Sequence, residues 1–349
     1  MQWGSVEERI IDLKNARQVA GVRDFLAKFD LTFSTQPDYT IGLFREGKMI
    51  ATGSLGGEVL RNIAVDEALQ GEGLTAAVVS SLISEAGRRG IFHYFIFTKP
   101  SKAHLFSSLG FAEVGRAEPY AVLLESGLGS VDVYCREMKK LTAFLPETDR
   151  AGLVMNCNPF TLGHQAVIAK AAAENAGVIV MAVSEDKSVF PFDVRFRLMK
   201  EALAGLDNVA VIPGGKYMVS AATFPGYFTK TDETVLAQTQ LDARIFGGRI
   251  APGLGITSRY VGNEPYCQVT NAYNAALTKI LPEYGIKVKV MERLAVNGEA
   301  VSASRVRQLI AENKWKEIET LVPEVVYQYL ISPEAAPVVD KIIHNQSRH

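Results

Sequence analysis

The stretch Leu153-Val-Met-Asn-Cys-Asn-Pro-Phe-Thr-Leu-Gly-His-Gln165 decides how the second half of the chain folds. It opens inside a nearly all-apolar run, Gly152–Cys157, the composition of a strand buried on both faces. Asn158-Pro-Phe160 then makes a turn, and Thr161-Leu-Gly163-His164 leads into a helical stretch ending at Asn175. A second apolar run, Gly177–Ser184, completes a parallel strand–helix–strand unit. Ligands of open α/β sheets bind at the carboxyl ends of strands, which is where this turn falls. Gly163 removes a side chain where a phosphate must come close, and Thr161 adds a hydroxyl donor. His164, at a helix N-terminus, can donate to a phosphate whose charge grows in the transition state. None of these is a nucleophile. The set suits in-line attack on an α-phosphate by a bound substrate, with pyrophosphate leaving.

Further strands are read at Val209–Pro213, Arg259–Gly262 and Lys287–Met291. The chain closes in helices over Ser304–Glu312, Trp315–Leu321 and Pro323–Leu330. Residues 147–340 therefore read as a doubly wound, Rossmann-like parallel-sheet α/β domain with C-terminal helices, and 341–349 as a tail. The boundary is placed in Leu145-Pro-Glu-Thr-Asp-Arg-Ala-Gly152, where proline and polar residues interrupt two patterns. Residues 1–146 read as an α+β domain. Thr40–Arg45 and Met49–Leu55 form a hairpin about Glu46-Gly47, Glu58–Val65 is the next strand, and His93–Thr98 another. Between them Ala76, Val79, Leu82, Ile83 and Ala86 mark one face of a helix over Thr75–Arg88.

Composition agrees with two domains, since 349 residues exceed one comfortable core. An apolar share of 48% with 21% charged residues excludes a disordered chain. Lys+Arg 37 against Asp+Glu 38 leaves no global field for a polyanion, so nucleic acid is not expected as a partner. No apolar run approaches the ~20 residues of a membrane span, and Glu7, Glu8 and Arg9 deny the N-terminus a signal peptide. Cys135, Cys157 and Cys267 have neither disulfide-framework nor metal-ligand spacing. A soluble, cytoplasmic protein is expected.

A second site candidate follows the strand Glu58–Val65. Gln70-Gly71-Glu72-Gly73-Leu74-Thr75 opens a helix, where glycines let backbone N–H groups approach an anion. With the later Leu105-Phe-Ser-Ser-Leu-Gly-Phe111, this turn resembles the GNAT-type acetyltransferase fold, in which it grips the pyrophosphate of coenzyme A. Two positions depart from that pattern. Thr75 stands where the family has a small residue, and Phe106 where many members carry a proton-donating tyrosine. The expectation is a domain that docks a pantetheine thiol as acceptor rather than one that acetylates amines.

The Thr161–His164 segment resembles the (H/T)-x-G-H signature of α/β nucleotidyltransferases, and Val301-Ser-Ala-Ser-Arg-Val-Arg307 their distal serine-rich segment at a helix start. A closer resemblance, to the citrate lyase ligase family, rests on Met155–His164, Ser184-Glu-Asp-Lys-Ser188 with Phe190-Pro-Phe192, Ala222-Thr-Phe-Pro-Gly-Tyr-Phe228 and Arg259-Tyr-Val-Gly-Asn-Glu-Pro-Tyr266. It implies ATP-dependent acetylation, through acetyl-adenylate, of a thiol on the acyl carrier subunit of citrate lyase, whose cofactor derives from dephospho-CoA. It further implies Thr161 and His164 as catalytic, and Asn158, Phe160, Gly163, Gly262, Ser302, Ser304 and Arg307 as ATP-binding; Lys187, just past an apolar strand, is an ATP-binding candidate for the departing phosphates or a solvated lysine. Gln70, Gly71, Gly73, Leu74 and Thr75 are implied for the thiol-bearing arm. Mg²⁺ is expected on the triphosphate, with acetate as co-substrate. Glu185 and Asp186 are candidates to orient Mg²⁺ or the ribose, and Asn263 and Glu264 to face the adenosine. Lys139-Lys140 is a solvated helix face or a contact for an acidic carrier. A dinucleotide-forming nucleotidyltransferase acting on a phosphorylated metabolite, and an acetyl-CoA-dependent acetyltransferase, remain as alternatives.

Overall fold

The computed structural model describes residues 6–33, 37–219, 232–263, 268–292, 294–296 and 299–344, with the backbone alone at 232–235 and 268–270. In the first compact unit, Met1–Ser130, short β-rich runs fold into one seven-stranded sheet ordered β1-β2-β3-β4-β5-β7-β6. Its elements are β1 (Glu7–Ile10), α1 (Ala16–Ala27), β2 (Tyr39–Arg45), β3 (Lys48–Gly56), β4 (Val59–Val65), α2 (Leu74–Arg88), β5 (His93–Thr98), α3 (Ala103–Ser107), β6 (Ala112–Ala117) and β7 (Ala121–Gly127). The expected hairpin is β2–β3, with Glu46 and Gly47 both at positive φ, the twist a tight hairpin turn demands. Neighbours are antiparallel except β4 and β5, which pair in parallel only at Val59–Phe95 and Leu60–Ile96. The ladder ends there, short of the Gly-rich turn that follows β4. Of the apolar face read from the sequence, α2 buries Val79, Leu82 and Ala86, with Leu74 and Val78 beside them, while Ala76 and Ile83 are half-buried.

The second unit, Val131–His349, holds a five-stranded sheet ordered β10-β9-β8-β11-β12. It runs α4 (Val131–Leu141), β8 (Arg150–Met155), α5 (Leu162–Glu174), β9 (Gly177–Ala182), α6 (Phe192–Ala202), β10 (Val209–Pro213), α7 (Asp232–Ile245), α8 (Ala251–Leu254), β11 (Ile256–Gly262), α9 (Gln268–Ile280) and β12 (Lys287–Met291). A two-residue hairpin, β13 (Ala295–Val296) and β14 (Glu299–Ala300), precedes α10 (Ala303–Ala311), α11 (Trp315–Glu319), α12 (Glu324–Leu330) and α13 (Ala336–His344). All four pairings in the five-stranded sheet are parallel, and β9 is buried at every residue, as an apolar run without alternation requires. One core joins α5, α6 and the C-terminal helices through Ile168, Leu198, Val306, Leu309 and Val326.

Two expectations change. The units part at Ser130–Val131, earlier than residue 146, because α4 is tied to the second sheet. Tyr134 donates to Pro213 O at 2.9 Å, and Arg249 donates to Asp132 at 3.1 Å. The proline-containing stretch after α4 is no linker. Arg150, 2% exposed, donates to the carbonyls of Pro146, Leu145 and Thr142 and pins it. At the other end, the expected tail from residue 341 is still helical to His344, because Val338 and Ile342 are buried one turn apart; Asn345–His349 lie outside the described residues.

Candidate functional site

Thr161 keeps extended backbone, φ −130° and ψ 166°, and stands as the N-cap of α5. Its Oγ1 accepts the His164 N–H at 3.4 Å, while His164 Nδ1 accepts the Thr161 N–H at 3.1 Å and lies 2.9 Å from Thr161 Oγ1. This is a capping box with histidine in the place usually taken by glutamate or glutamine. It has a chemical consequence. Because Nδ1 accepts a backbone N–H, the neutral ring carries its proton on Nε2, and Nε2 is a hydrogen-bond donor. The imidazole also stacks on Phe160, with centroids 5.7 Å apart and 23° between planes. Phe160 is fully buried in the core, so its side chain backs the imidazole rather than meeting a nucleotide.

A Cβ on Gly163 would lie 2.8 Å from Val301 O. What excludes a side chain there is therefore the distal motif's own backbone, where the sequence reading placed a phosphate. The same contact brings Val301–Arg307 against the start of α5. Ser302 is the N-cap of α10, accepting the Arg305 N–H at 3.2 Å, and its Oγ lies 3.1 Å from Ser304 Oγ. Ser304 is exposed and caps nothing itself. Arg307, one turn on, donates from Nη1 to Asn158 O, and burial pushes its pKa down. Asn158, 7% exposed, accepts the Phe190 N–H at 3.0 Å through Oδ1. The turn before Thr161 is thus held by α10 on one side and by the loop after β9 on the other.

Arg195 supplies a third hold. It is 1% exposed and donates from Nε to Phe190 O at 3.0 Å, from Nη1 to Asn156 O at 2.9 Å and Val183 O at 2.8 Å, and from Nη2 to Glu185 O at 3.0 Å. Burial pushes its pKa down, only partly offset by Cys157 and Asp186. Two arginines follow Phe190-Pro-Phe192, and only helical phase distinguishes them. Arg197 turns outward to Glu334 at 2.6 Å. Cys157, between the holds, takes φ +50°, and complete burial raises its thiol pKa far above the ordinary value. A thiol so protonated and enclosed is no acyl carrier.

Lys187 and Gly262 are placed at the carboxyl edge of the same sheet. Lys187 Nζ lies 3.5 Å from Glu185 Oε1. Asp186 accepts the Phe192 N–H at 2.9 Å and so caps α6. Gly262 O accepts from Asn274 Nδ2 at 2.9 Å, and Asn263 N–H donates to Met291 O at 2.8 Å. Glu264, Cys267 and the segment Ala222–Phe228 lie outside the described residues. Among the described residues no group of three or more His, Cys, Asp or Glu is placed to hold a metal ion, and no helix is long and apolar enough to cross a membrane.

The Gly-rich turn of the first unit is a separate candidate. Gly71 and Gly73 have φ of +94° and +78° with nothing within 4 Å of an added Cβ, so backbone conformation rather than crowding calls for glycine. Helix α2 begins at Leu74 without a side-chain cap, so its N-cap residue, Gly73, puts no side chain on the first N–H groups. Glu72 is drawn aside to Arg45 at 2.7 Å. Leu74 is buried and anchors the turn, while Gln70 is exposed and Thr75 half-buried. Phe106 is buried in the core and offers no proton.

Residues 150–330 match the family described as citrate lyase ligase C-terminal domain. The chain is 36% identical over 329 residues to the "[Citrate [pro-3S]-lyase] ligase" of Klebsiella pneumoniae, covering 93% of this chain and 96% of that one. It is 35% identical to the protein of the same name from Escherichia coli (strain K12), covering 90% of each. Among solved structures, the ribosomal-protein-S18-alanine N-acetyltransferase from Escherichia coli is 22% identical, covering 36% of this chain and 96% of that one, with a TM-score of 0.31. At that score the likeness carries no weight, and the sheet topology stands on its own.

Proposed function

Since this chain belongs to the citrate lyase ligase family, we propose that it is an acid–thiol ligase that acetylates the acyl carrier subunit of citrate lyase at the expense of ATP. In the first half-reaction an acetate oxygen attacks the α-phosphorus of ATP. The bond to the bridging oxygen breaks, and pyrophosphate leaves with its electron pair. In the second, the carrier thiolate attacks the acetyl carbonyl, AMP departs, and the thiol proton passes to solvent.

The observation that carries this reading is the tautomer of His164. An Nε2–H held by a backbone-anchored capping box is a preorganised donor for a phosphate oxygen gaining charge. Ser302, Ser304 and Arg307 are brought to the same place by the Gly163–Val301 contact, and Asn158 and Lys187 line the approach. Mg²⁺ would ride on the triphosphate and water, since Asp186 already caps α6 and no described acidic cluster forms a cage. It supplies charge neutralisation when bound. The turn from Gln70 to Thr75, with no side-chain cap on the helix it opens, takes the pyrophosphate of the dephospho-CoA-derived arm. The reaction belongs to the cytoplasm, where ATP is available.

ATP–pyrophosphate exchange with and without acetate tests the first half-reaction. Exchange that ignores acetate and needs a phosphate ester instead would turn the assignment to a dinucleotide-forming enzyme. Calorimetric titration of the whole chain with dephospho-CoA tests the arm site, and Gly73→Ala should weaken binding without touching exchange.

A further inference from the structure

Three arginines of the second unit are almost fully buried, and two of them are fully spent. Arg150 donates to the carbonyls of Pro146, Thr142, Leu145 and Leu254, and Arg195 to four others at the active-site turn. Arg259, on β11, is different. It is 1% exposed, and neither its Nε nor its Nη1 has a hydrogen-bond partner. Its guanidinium lies 4.5 Å from the Phe246 ring centroid, a contact that uses the flat face, and the Tyr273 side chain hydrogen-bonds it, which still leaves Nε and Nη1 unspent.

The acid that senses it, Asp242, has its oxygens engaged: Oδ2 accepts from the Tyr273 hydroxyl at 2.6 Å and Oδ1 from the Val219 N–H at 3.1 Å. One turn earlier on α7, Gln238 is 1% exposed and its Oε1 also lacks a partner. Burial pushes the Arg259 pKa down, and Tyr273 and Asp242 offset only part of this. A guanidinium does not discard its proton in a protein, so such a charge calls for an anion.

The corner is not the adenylation site. Arg259 is opposite Gly152 in the β11–β8 register, below the sheet's carboxyl edge. The next residue, Tyr260, reaches Asn175 at the end of α5, at 2.8 Å. Side chains alternate along a strand, so Arg259 points to the other face, where Tyr273 of α9 and Phe246, directly after α7, meet it. That turn, Phe246–Ile250, is a π-helix, a distortion often found beside functional sites.

We propose that Arg259 and Gln238 form a binding site for a small hydroxycarboxylate, its carboxylate on Arg259 and its hydroxyl donating to Gln238 Oε1. The assignment is independent of the adenylation reading. A ligand with both features matches the unspent donors and the unspent acceptor, whereas a simple carboxylate answers only the donors.

The test is thermal unfolding of the full chain in low-salt buffer, titrated with lactate or with propanoate, which lacks only the hydroxyl. Without carboxylate, Arg259→Met should melt about 2–4 °C above wild type, because an unpaired buried charge has been removed. Arg150→Met and Arg195→Met, which strand carbonyls, should melt below it. Lactate should then raise the wild-type midpoint saturably and more than propanoate does. Arg259→Met should be indifferent to both, and Gln238→Leu should respond equally to both. An Arg259→Met protein that is less stable than wild type, or unfolded, overturns the proposal, as does a lactate response that survives the substitution. A Gln238→Leu protein that still prefers lactate overturns the hydroxyl assignment.

Discussion

In the function proposed above His164 has two jobs, and substitution by glutamate separates them. The imidazole Nδ1 completes the N-terminal cap of α5 by accepting the Thr161 N–H at 3.1 Å, while Nε2–H is the donor assigned to the chemistry. Glutamate at this position of a capping box supplies an equivalent acceptor and, ionised, no donor. His164→Glu should therefore melt within about 2 °C of wild type. His164→Ala leaves the Thr161 N–H without its acceptor and should cost about 0.5–2 kcal/mol of stability. Neither variant keeps the donor proposed for the α-phosphate oxygen. Loss of one such donor costs about 10²–10³ in rate, or about 2.7–4 kcal/mol of barrier. Both should lower acetate-dependent ATP–pyrophosphate exchange by at least that factor, although only one is destabilised. If either variant exchanges within tenfold of wild type, the imidazole is a cap alone and the catalytic assignment falls.

The contact between motifs makes a second prediction. Gly163→Ala puts a methyl 2.8 Å from Val301 O, so α10 must shift, at a cost of about 1–3 kcal/mol in urea unfolding and a raised KM for ATP. At the strained turn, Cys157 holds φ +50°; Cys157→Gly should be tolerated, while Cys157→Val should lose about 1–2 kcal/mol or more. Native protein should resist thiol reagents at Cys157 at pH 8, since burial raises that pKa; rapid labelling there would contradict the buried setting. On the surface, Lys170, then Tyr260 and Lys289, hold the Glu174 carboxyl down to about 2 from 4.5. A depressed carboxylate stabilises above its unfolded pKa and loses that contribution as the pH falls through the folded one. The urea midpoint should thus fall between about pH 4.5 and 2 in wild type, and fall less steeply in Glu174→Gln.

The parallel sheet was readable because buried strands announce themselves: Gly177–Ala182 has no polar residue to misplace. The hairpin at Glu46-Gly47 was readable because a tight turn needs positive φ, which glycine supplies at one of its two positions. Helices α7 and α9 were not, for their buried faces carry Gln238, Thr239, Asp242 and Tyr273 beside apolar residues, which blurs the 3.6-residue period. The boundary was misread for a related reason. Pro146, Glu147 and Asp149 have loop composition, but Arg150 takes the Thr142, Leu145 and Pro146 carbonyls around them as its partners, and composition does not record a side chain that reaches back. At the site, Thr161 and His164 were legible as a local motif. That Gly163 yields to Val301 rather than to a phosphate was not, because the partner lies far along the chain.

The positive character of this corner comes from backbone as much as from side chains. Helices α5 and α10 both begin here, capped by Thr161 and Ser302, and the Gly163–Val301 approach brings those beginnings together. Each helix presents about half an elementary positive charge at its N-terminus. Arg195 and Arg307 add two full charges beside them, and both spend described donors on carbonyl oxygens rather than on carboxylates. Carbonyl dipoles orient a guanidinium without cancelling its charge, so the field survives into the space above the turn. A chain with nearly equal numbers of acids and bases overall thus places concentrated positive charge at this sheet edge. The ligand this favours is compact and highly charged, as a triphosphate is, and a long polyanion would meet no second patch of the kind in the described site.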